Sequence, residues 1–331
     1  MGQNNSYLLN ISILSYNRTK ELIRLFDSLE SINRDDIIVS VYEDCSPNQE
    51  KISKICSFYK KKLNIKVDFL PAKKNIGYDK NLLRSLNCKS KFVLLLSDDD
   101  YLDASLMNDF ASFLKNKNPD VVICPFVKRR NTYRSGSHYN NNYSVDVLYD
   151  SVLFSGLTFK TKKISIKEND YNFIKNSIYS QVFIVASLWT KKSYYYNNNI
   201  IIAGEDGENF FGKSEATKEM LDLLDRSEPF SNLYYQSKLQ KVAFYSLKKF
   251  YPELLVSFLS NYSKRLVSQF IRIKLSTNVI GYVKAILKLK SMKLRYNKKY
   301  FIIIFCVTFI PNFFLAHIYK FIIKKFRVSG G

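Results

Sequence analysis

The chain has 331 residues, 46% of them hydrophobic and 15% aromatic, and 51 Lys and Arg stand against 29 Asp and Glu for a net charge of +22. This apolar content excludes a disordered or low-complexity chain, and the length suits one large domain with an extension, or two domains. Five scattered cysteines, at 45, 56, 88, 124 and 306, form no CxxC pair or ligand cluster, which argues against a disulfide scaffold and for reduced thiols in a cytosolic compartment.

Along the first 124 residues, apolar runs alternate with segments of helical period. Leu8–Leu14 reads as a strand leading into Ser15-Tyr16-Asn17-Arg18. Thr19 is placed to cap a helix whose apolar positions are Leu22, Ile23, Phe26 and Leu29. Ile37–Tyr42 is a second strand, ending in Glu43-Asp44-Cys45-Ser46-Pro47, and a helix is expected from about Gln49 to Lys61. Ile65–Leu70 is a third strand, before Asn75-Ile76-Gly77-Tyr78-Asp79-Lys80-Asn81 and another helix. Lys91–Leu96 is the fourth, followed by a helix near Asp103–Lys115 and a fifth strand, Val121–Cys124. Strands alternating with helices predict an α/β fold, a mostly parallel sheet flanked by helices, with its chemistry at the strands' carboxyl ends.

The fourth strand ends in Ser97-Asp98-Asp99-Asp100. Three adjoining carboxylates at the end of a buried strand repel one another and lose hydration, a cost most easily met where a cation compensates it. Hard cations such as Mg2+ or Mn2+ bind through one or two carboxylates plus phosphate oxygens. The triplet therefore reads either as a metal–diphosphate site or as a solvated acidic turn capping the next helix.

Four segments together, Ile11–Arg18, Tyr42–Ser46, Asn75–Leu82 and Leu95–Asp100, resemble the ordered signature of glycosyltransferase family 2, whose fold is GT-A, a Rossmann-like arrangement. The resemblance runs from about Leu8 to Cys124. It implies a metal-dependent transferase of bacterial surface-polysaccharide sugars, of the O-antigen or capsule kind. Where many members carry Asp-x-Asp-Asp, this chain has Ser97 in place of the first carboxylate. Position by position, the resemblance implies that Tyr16 stacks on the nucleotide base and that Asp44 accepts from a base NH. Asp98 would bind ribose or donor-sugar hydroxyls, Asp99 would coordinate Mn2+ or Mg2+, and Asp100 would be an outer-shell or sugar contact. Ser15, Arg18, Asn75 and Asp79 complete the implied nucleotide-sugar set. Bland readings exist for each: Tyr16 as packing over the sheet edge, Asp44 as a turn former, and Asn75, Gly77 and Asp79 as a helix-capping turn.

Inverting transfer needs a carboxylate to take the acceptor's proton. Gly204-Glu205-Asp206-Gly207-Glu208 is acidic, carries glycines that permit unusual backbone angles, and resembles the segment that supplies the family's base. Asp206 is the first choice, then Glu205, then Glu208, with a solvated loop as the alternative. His138 reads as an ordinary loop histidine, and Trp189, beside the apolar Val182–Leu188, as core.

From Asn232 onward there are 19 basic residues and one acidic residue, Glu253, so the tail carries +18 of the +22. This places a boundary near 230: a GT-A domain over 1–230, with 1–124 for the donor and 125–230 for the acceptor side, and a basic helical extension over 231–331. The tail also holds the apolar run Tyr300–Ala316, interrupted by Pro311-Asn312. Basic and apolar together fit an anionic membrane surface better than nucleic acid. The run is short for a bilayer, so a monotopic or re-entrant arrangement is preferred to a span, with packing on the domain as the alternative. No secretory signal is visible at the N-terminus.

The expectation is a glycosyltransferase at the cytoplasmic face of the bacterial inner membrane. Its donor would be a UDP-sugar, or else a CDP-, dTDP- or GDP-deoxyhexose, and its acceptor a lipid-linked saccharide such as an undecaprenyl-diphosphate intermediate. Two other classes remain: a nucleotidyltransferase, although Ser15–Arg18 lacks the glycine-rich phosphate loop one needs, and a non-catalytic membrane scaffold.

Overall fold

A computed structural model describes residues 7–124, 126–128, 131–132, 142–204, 228–276, 279–291, 298–312 and 314–315. Two compact units divide the chain, residues 1–208 and 209–331.

The first unit is built on a seven-stranded sheet. Its strands are β1 (Tyr7–Ser15), β2 (Ile37–Glu43), β3 (Lys66–Pro71), β4 (Ser90–Ser97), β6 (Val121–Ile123), β9 (Leu157–Lys160) and β10 (Ser193–Tyr195), in the order β10-β6-β9-β4-β1-β2-β3. β1 pairs in parallel with both β2 and β4, with Ile11 opposite Val39 and Leu94. β9 runs antiparallel to both its neighbours, β4 and β6. A smaller sheet joins β5 (Tyr101–Leu102), β11 (Ile201–Ile202), β7 (Phe126–Lys128) and β8 (Asn131–Thr132).

Helices α1 (Thr19–Ser28), α2 (Gln49–Lys62), α3 (Tyr78–Ser85) and α4 (Met107–Lys117) link the early strands. The alternating residues Leu9, Ile11 and Ile13 of β1 join Leu22, Leu25 and Phe26 of α1 in one apolar core, which also holds Val39, Val41, Leu94 and Leu96. Two details differ from the sequence reading. Thr19 is the first helical residue rather than the cap: Arg18 stands at the cap position without capping, because a guanidinium has no acceptor for the free N–H groups, and its side chain turns to the Asp triplet. Leu25 is buried in place of Ile23, which faces solvent.

α5 (Val145–Asp150), α6 (Glu168–Ile174) and α7 (Ser180–Leu188) complete the described part of this unit. α7 is apolar and buried on nearly every side, which marks it as a core helix. Trp189 is buried as expected, its ring edge-on to Tyr143 and Tyr195.

The second unit is helical: α8 (Glu228–Phe250), α9 (Leu255–Ser276), α10 (Val279–Ser291) and α11 (Lys298–Val307). α8 falls whole within it. Among the described residues no helix is long and apolar enough to cross a membrane. The run from Tyr300 is a short helix with Ile304 and Val307 buried, not a continuous span, because Thr308–Ile310 leave the helix before Pro311.

Candidate active site

Four polar segments meet at the carboxyl ends of β1, β2 and β4. Parallel pairing aligns those ends, setting Leu14 opposite Ser97 and Ser15 opposite Glu43. The turns leaving β1 and β2 each use one left-handed residue, Asn17 at φ 58° and Cys45 at φ 57°. Such angles are uncommon outside glycine and are held here by specific bonds. The Asn17 N–H donates to Ser46 Oγ at 2.8 Å, and the Asp44 N–H donates to the Ser15 carbonyl at 3.1 Å. Glu43, fully buried, accepts from the Cys45 N–H at 3.0 Å, from the Ser46 N–H and hydroxyl, and from Gln49 Nε2. Glu43 was passed over in the sequence in favour of Asp44. Its signal was an acidic residue closing an otherwise apolar strand.

The triplet lies across from these turns. Asp98 accepts the Tyr16 N–H at 3.0 Å and Arg18 Nη1 at 3.0 Å, and the same Arg18 nitrogen stands 2.8 Å from Asp99 Oδ2. One guanidinium therefore bridges two carboxylates, and their charges hold Arg18 above its ordinary pKa against the opposing effect of burial. Ser97 donates its hydroxyl to Asp99, a bond that a carboxylate at position 97 could not make without a proton. Arg24 donates to the Asp99 carbonyl at 3.1 Å. Asp100 is held by the Ser155 hydroxyl and by the Gly204 N–H at 3.2 Å, and Ser155 also accepts the Ser97 N–H at 3.0 Å. Gly204 packs so closely that a Cβ there would lie 1.6 Å from the Asp99 carbonyl oxygen. Ser155 and Arg24 are thus parts of the site that only the fold reveals, and the fold gives Gly204, read in the sequence as part of the acidic segment, a contact with the triplet.

Burial pushes Asp98 up to about 7, outweighing the pull of Arg18. It pushes Asp100 to about 7 as well, with Asp99 adding repulsion. Asp99 is the open member, its side chain 20% exposed, whereas Asp98 and Asp100 are buried. Among the described residues no three His, Cys, Asp or Glu side chains converge as a ligand set. The residues thus fit a hard cation held by Asp99, alone or with one neighbouring carboxylate, and completed by phosphate oxygens. They do not fit an all-protein cage.

The third motif is largely architectural. Asp44 accepts the Ile76 N–H at 2.8 Å and the Gly77 N–H at 2.9 Å, and burial raises its pKa while these amides oppose the rise. The Asn75 side chain, on the exposed edge of this loop, also accepts the Gly77 N–H, at 3.1 Å, and Gly77 itself takes φ 83°. Asp79 turns away from the triplet. It accepts the Ile178 N–H at 2.6 Å and the Ser180 N–H at 3.1 Å, tying α3 to the start of α7, and burial raises its pKa. Asn81 donates to the Tyr42 carbonyl at 2.8 Å. Ser15, Tyr16, Arg18, Asp44, Asn75, Asp98, Asp99 and Asp100 are therefore brought to one edge, and Asp79 is not. Glu205, Asp206, Glu208 and His138 lie outside the described residues.

Poly(ribitol-phosphate) beta-N-acetylglucosaminyltransferase TarS of Staphylococcus aureus is 28% identical over 117 residues, 34% of this chain. The chain spans only 20% of the length of that relative. A crystal structure of S. aureus TarS 1-349 in complex with UDP-GlcNAc superimposes with a TM-score of 0.52 at 14% identity, covering 86% of this chain and 88% of that one. Mannosyltransferase PcManGT from Pyrobaculum calidifontis, in complex with GDP-Man and Mn2+, gives 0.52 at 12% identity, covering 94% and 89%. These likenesses concern the fold. The family model Glycosyl transferase family 2 matches residues 11–185, more than half of the chain and all four motifs, and the chain belongs to that family.

Proposed function

We propose that this family 2 glycosyltransferase moves a sugar from a nucleoside-diphosphate donor to a hydroxyl of a saccharide acceptor with inversion. The observation that carries the reading is the open Asp99 between buried Asp98 and Asp100 at the end of β4, faced by Arg18. In this reading Tyr16 offers its ring to the base, and Asp98 takes ribose or sugar hydroxyls. Asp99 holds Mn2+ or Mg2+, which neutralises the diphosphate when bound. Arg18, already shared between two carboxylates, supplies a fixed positive charge to the leaving diphosphate.

The base is assigned to Asp206, then Glu205 and Glu208. Gly204, which donates to Asp100, immediately precedes this acidic segment in the sequence. The donor is a UDP-sugar first, with deoxyhexose donors on other nucleotides next. The TarS and PcManGT structures hold UDP-GlcNAc and GDP-Man, so uridine and guanosine donors lead the screen. The acceptor is a lipid-linked saccharide of surface-polysaccharide assembly, met at the cytoplasmic face of the bacterial inner membrane. A shared surface raises the effective concentration of enzyme and acceptor.

Release of nucleoside diphosphate across a donor panel, with and without Mn2+, tests the reading. Asp99→Asn is expected to abolish metal-dependent nucleotide binding with the fold intact. Asp206→Asn is expected to retain donor binding and lose about 10²–10⁴-fold in turnover. Unchanged nucleotide affinity and turnover in Asp99→Asn would overturn the metal assignment. Normal turnover in Asp206→Asn beside an inactive Glu205→Gln or Glu208→Gln would move the base.

A further inference from the structure

Helices α10 and α11 share one pattern. Each buries one stripe, Tyr282 and Ala285 on α10, Ile304 and Val307 on α11. Both buried stripes pack against α9, where the Tyr282 ring stands edge-on to Phe270 and Lys274 donates to the Val307 carbonyl, and the Tyr282 hydroxyl donates to the Ile304 carbonyl at 2.7 Å. Each helix also turns a second apolar stripe outward: Ile280, Val283 and Leu287 on α10, Ile302 and Phe305 on α11, with Phe309 one turn beyond. Leu287 and Ile302 are each 61% exposed and Phe309 is 73% exposed. Spacings of three and four residues make these continuous faces rather than scattered side chains.

We propose that these outward faces are the surface by which the chain lies in the plane of an anionic bilayer, with no segment spanning it. The inference rests on the membrane reading above and assigns it to particular side chains. Charge selects the occupant. From Leu254 to Gly331 there are 15 Lys and Arg and no acidic residue, and Lys284 is exposed beside the α10 stripe. A second copy would set like charges against like. Anionic headgroups neutralise those charges while the acyl boundary takes Leu, Ile and Phe. The inner stripes, already packed, keep the helices folded in water.

Flotation of the full chain with phosphatidylcholine vesicles, with and without phosphatidylglycerol, tests this. The chain is expected to favour the anionic vesicles, and salt should weaken the binding without abolishing it. The double variant Leu287→Glu/Phe305→Glu should partition about tenfold less, and Val256→Glu, exposed but on neither stripe, should behave as the parent. Serine at the same two positions keeps the test should glutamate prevent folding. Wild-type binding by the double variant would overturn the proposal. So would a vesicle-free dimer that the double variant dissociates, because a second copy would then cover the face. Loss of vesicle binding with nucleotide affinity unchanged supports the surface on its own. Vesicle binding as expected with no donor turned over would leave the surface standing and the sugar-transfer reading fallen.

Discussion

The two units solve the problem of water in opposite ways. In residues 1–208 apolar side chains close around a sheet, and the large ones left outside are dispersed: Ile23, Phe58, Leu70, Leu153, Tyr171 and Phe173. Charges of both signs cover that unit, and among its buried carboxylates Glu43, Asp44, Asp79, Asp98, Asp100 and Asp120 each have a hydrogen-bond donor. In residues 209–331 the exposed apolar residues of α10 and α11 fall in rows, and from Asn232 onward 19 basic residues stand against one acidic residue. A surface of scattered apolar residues is ordinary in a protein that faces water on all sides, whereas rows of them mark an interaction face. The first unit gathers four of these carboxylates, Glu43, Asp44, Asp98 and Asp100, at one functional edge. The second displays its unfavourable surface outright.

Substitutions separate the two units most sharply at Gly204. A methyl group there must displace the Asp99 backbone or Arg24, so Gly204→Ala is expected to cost about 3 kcal/mol and to abolish nucleotide binding. Thermal unfolding and calorimetry would show it, and vesicle binding by the second unit should persist. Wild-type stability in this variant would mean that the triplet's backbone yields easily.

The pH response belongs to the same edge. Burial raises Asp98 and Asp100 from 3.8 to about 7, so the unfolded chain ionises them first. Their contribution to stability is complete below about pH 3.8 and is lost as the pH rises through about 7. Without divalent cations, denaturation midpoints should fall between pH 5 and pH 8, and Asp100→Asn should flatten that fall. A midpoint that stays level over this range would show that Arg18 compensates the triplet fully, and one that rises would show that it overcompensates.

The smallest and most local effect is expected in the second unit. Buried Lys274 donates from Nζ to the Val307 carbonyl at 2.8 Å and also to the Thr308 carbonyl, holding the end of α11, where a cation is favoured. Lys274→Met should cost about 1–2 kcal/mol. Amide exchange should quicken over residues 298–309 and stay unchanged in the β1–β4 sheet. Quickening in both units would join what the comparison separates.

The early half of this architecture was legible because its signals are local. β1, β2, β3 and β4 each combine an apolar run with a polar stop, and their helices carry clear periods. β9 was not read: its four residues, Leu-Thr-Phe-Lys over Leu157–Lys160, alternate but are too few to mark a strand, and it acquires identity only by entering between β4 and β6. In the site, the triplet and Arg18 were visible as motif residues, but their bridging was not. Ser155 reaches Asp100 from 55 positions away, and nothing near Ser155 in the chain marks it. Asp79 shows the converse limit. Its place in a motif suggested a ligand contact, while both of its oxygens serve the α7 amides.

The late arrival of β9 also bears on synthesis. β1 to β4 can pair once residue 97 has left the ribosome, but the other edge of β4, with the wholly apolar Phe92–Leu96, has no partner until residues 157–160 emerge. At ribosomal rates that interval is roughly 3–12 s. Throughout it, the strand that ends in the triplet is an open, apolar edge able to pair with another nascent chain. The antiparallel strand that completes the sheet is therefore also its late seal, and this protein's vulnerability to aggregation is set by the speed at which sixty residues are made.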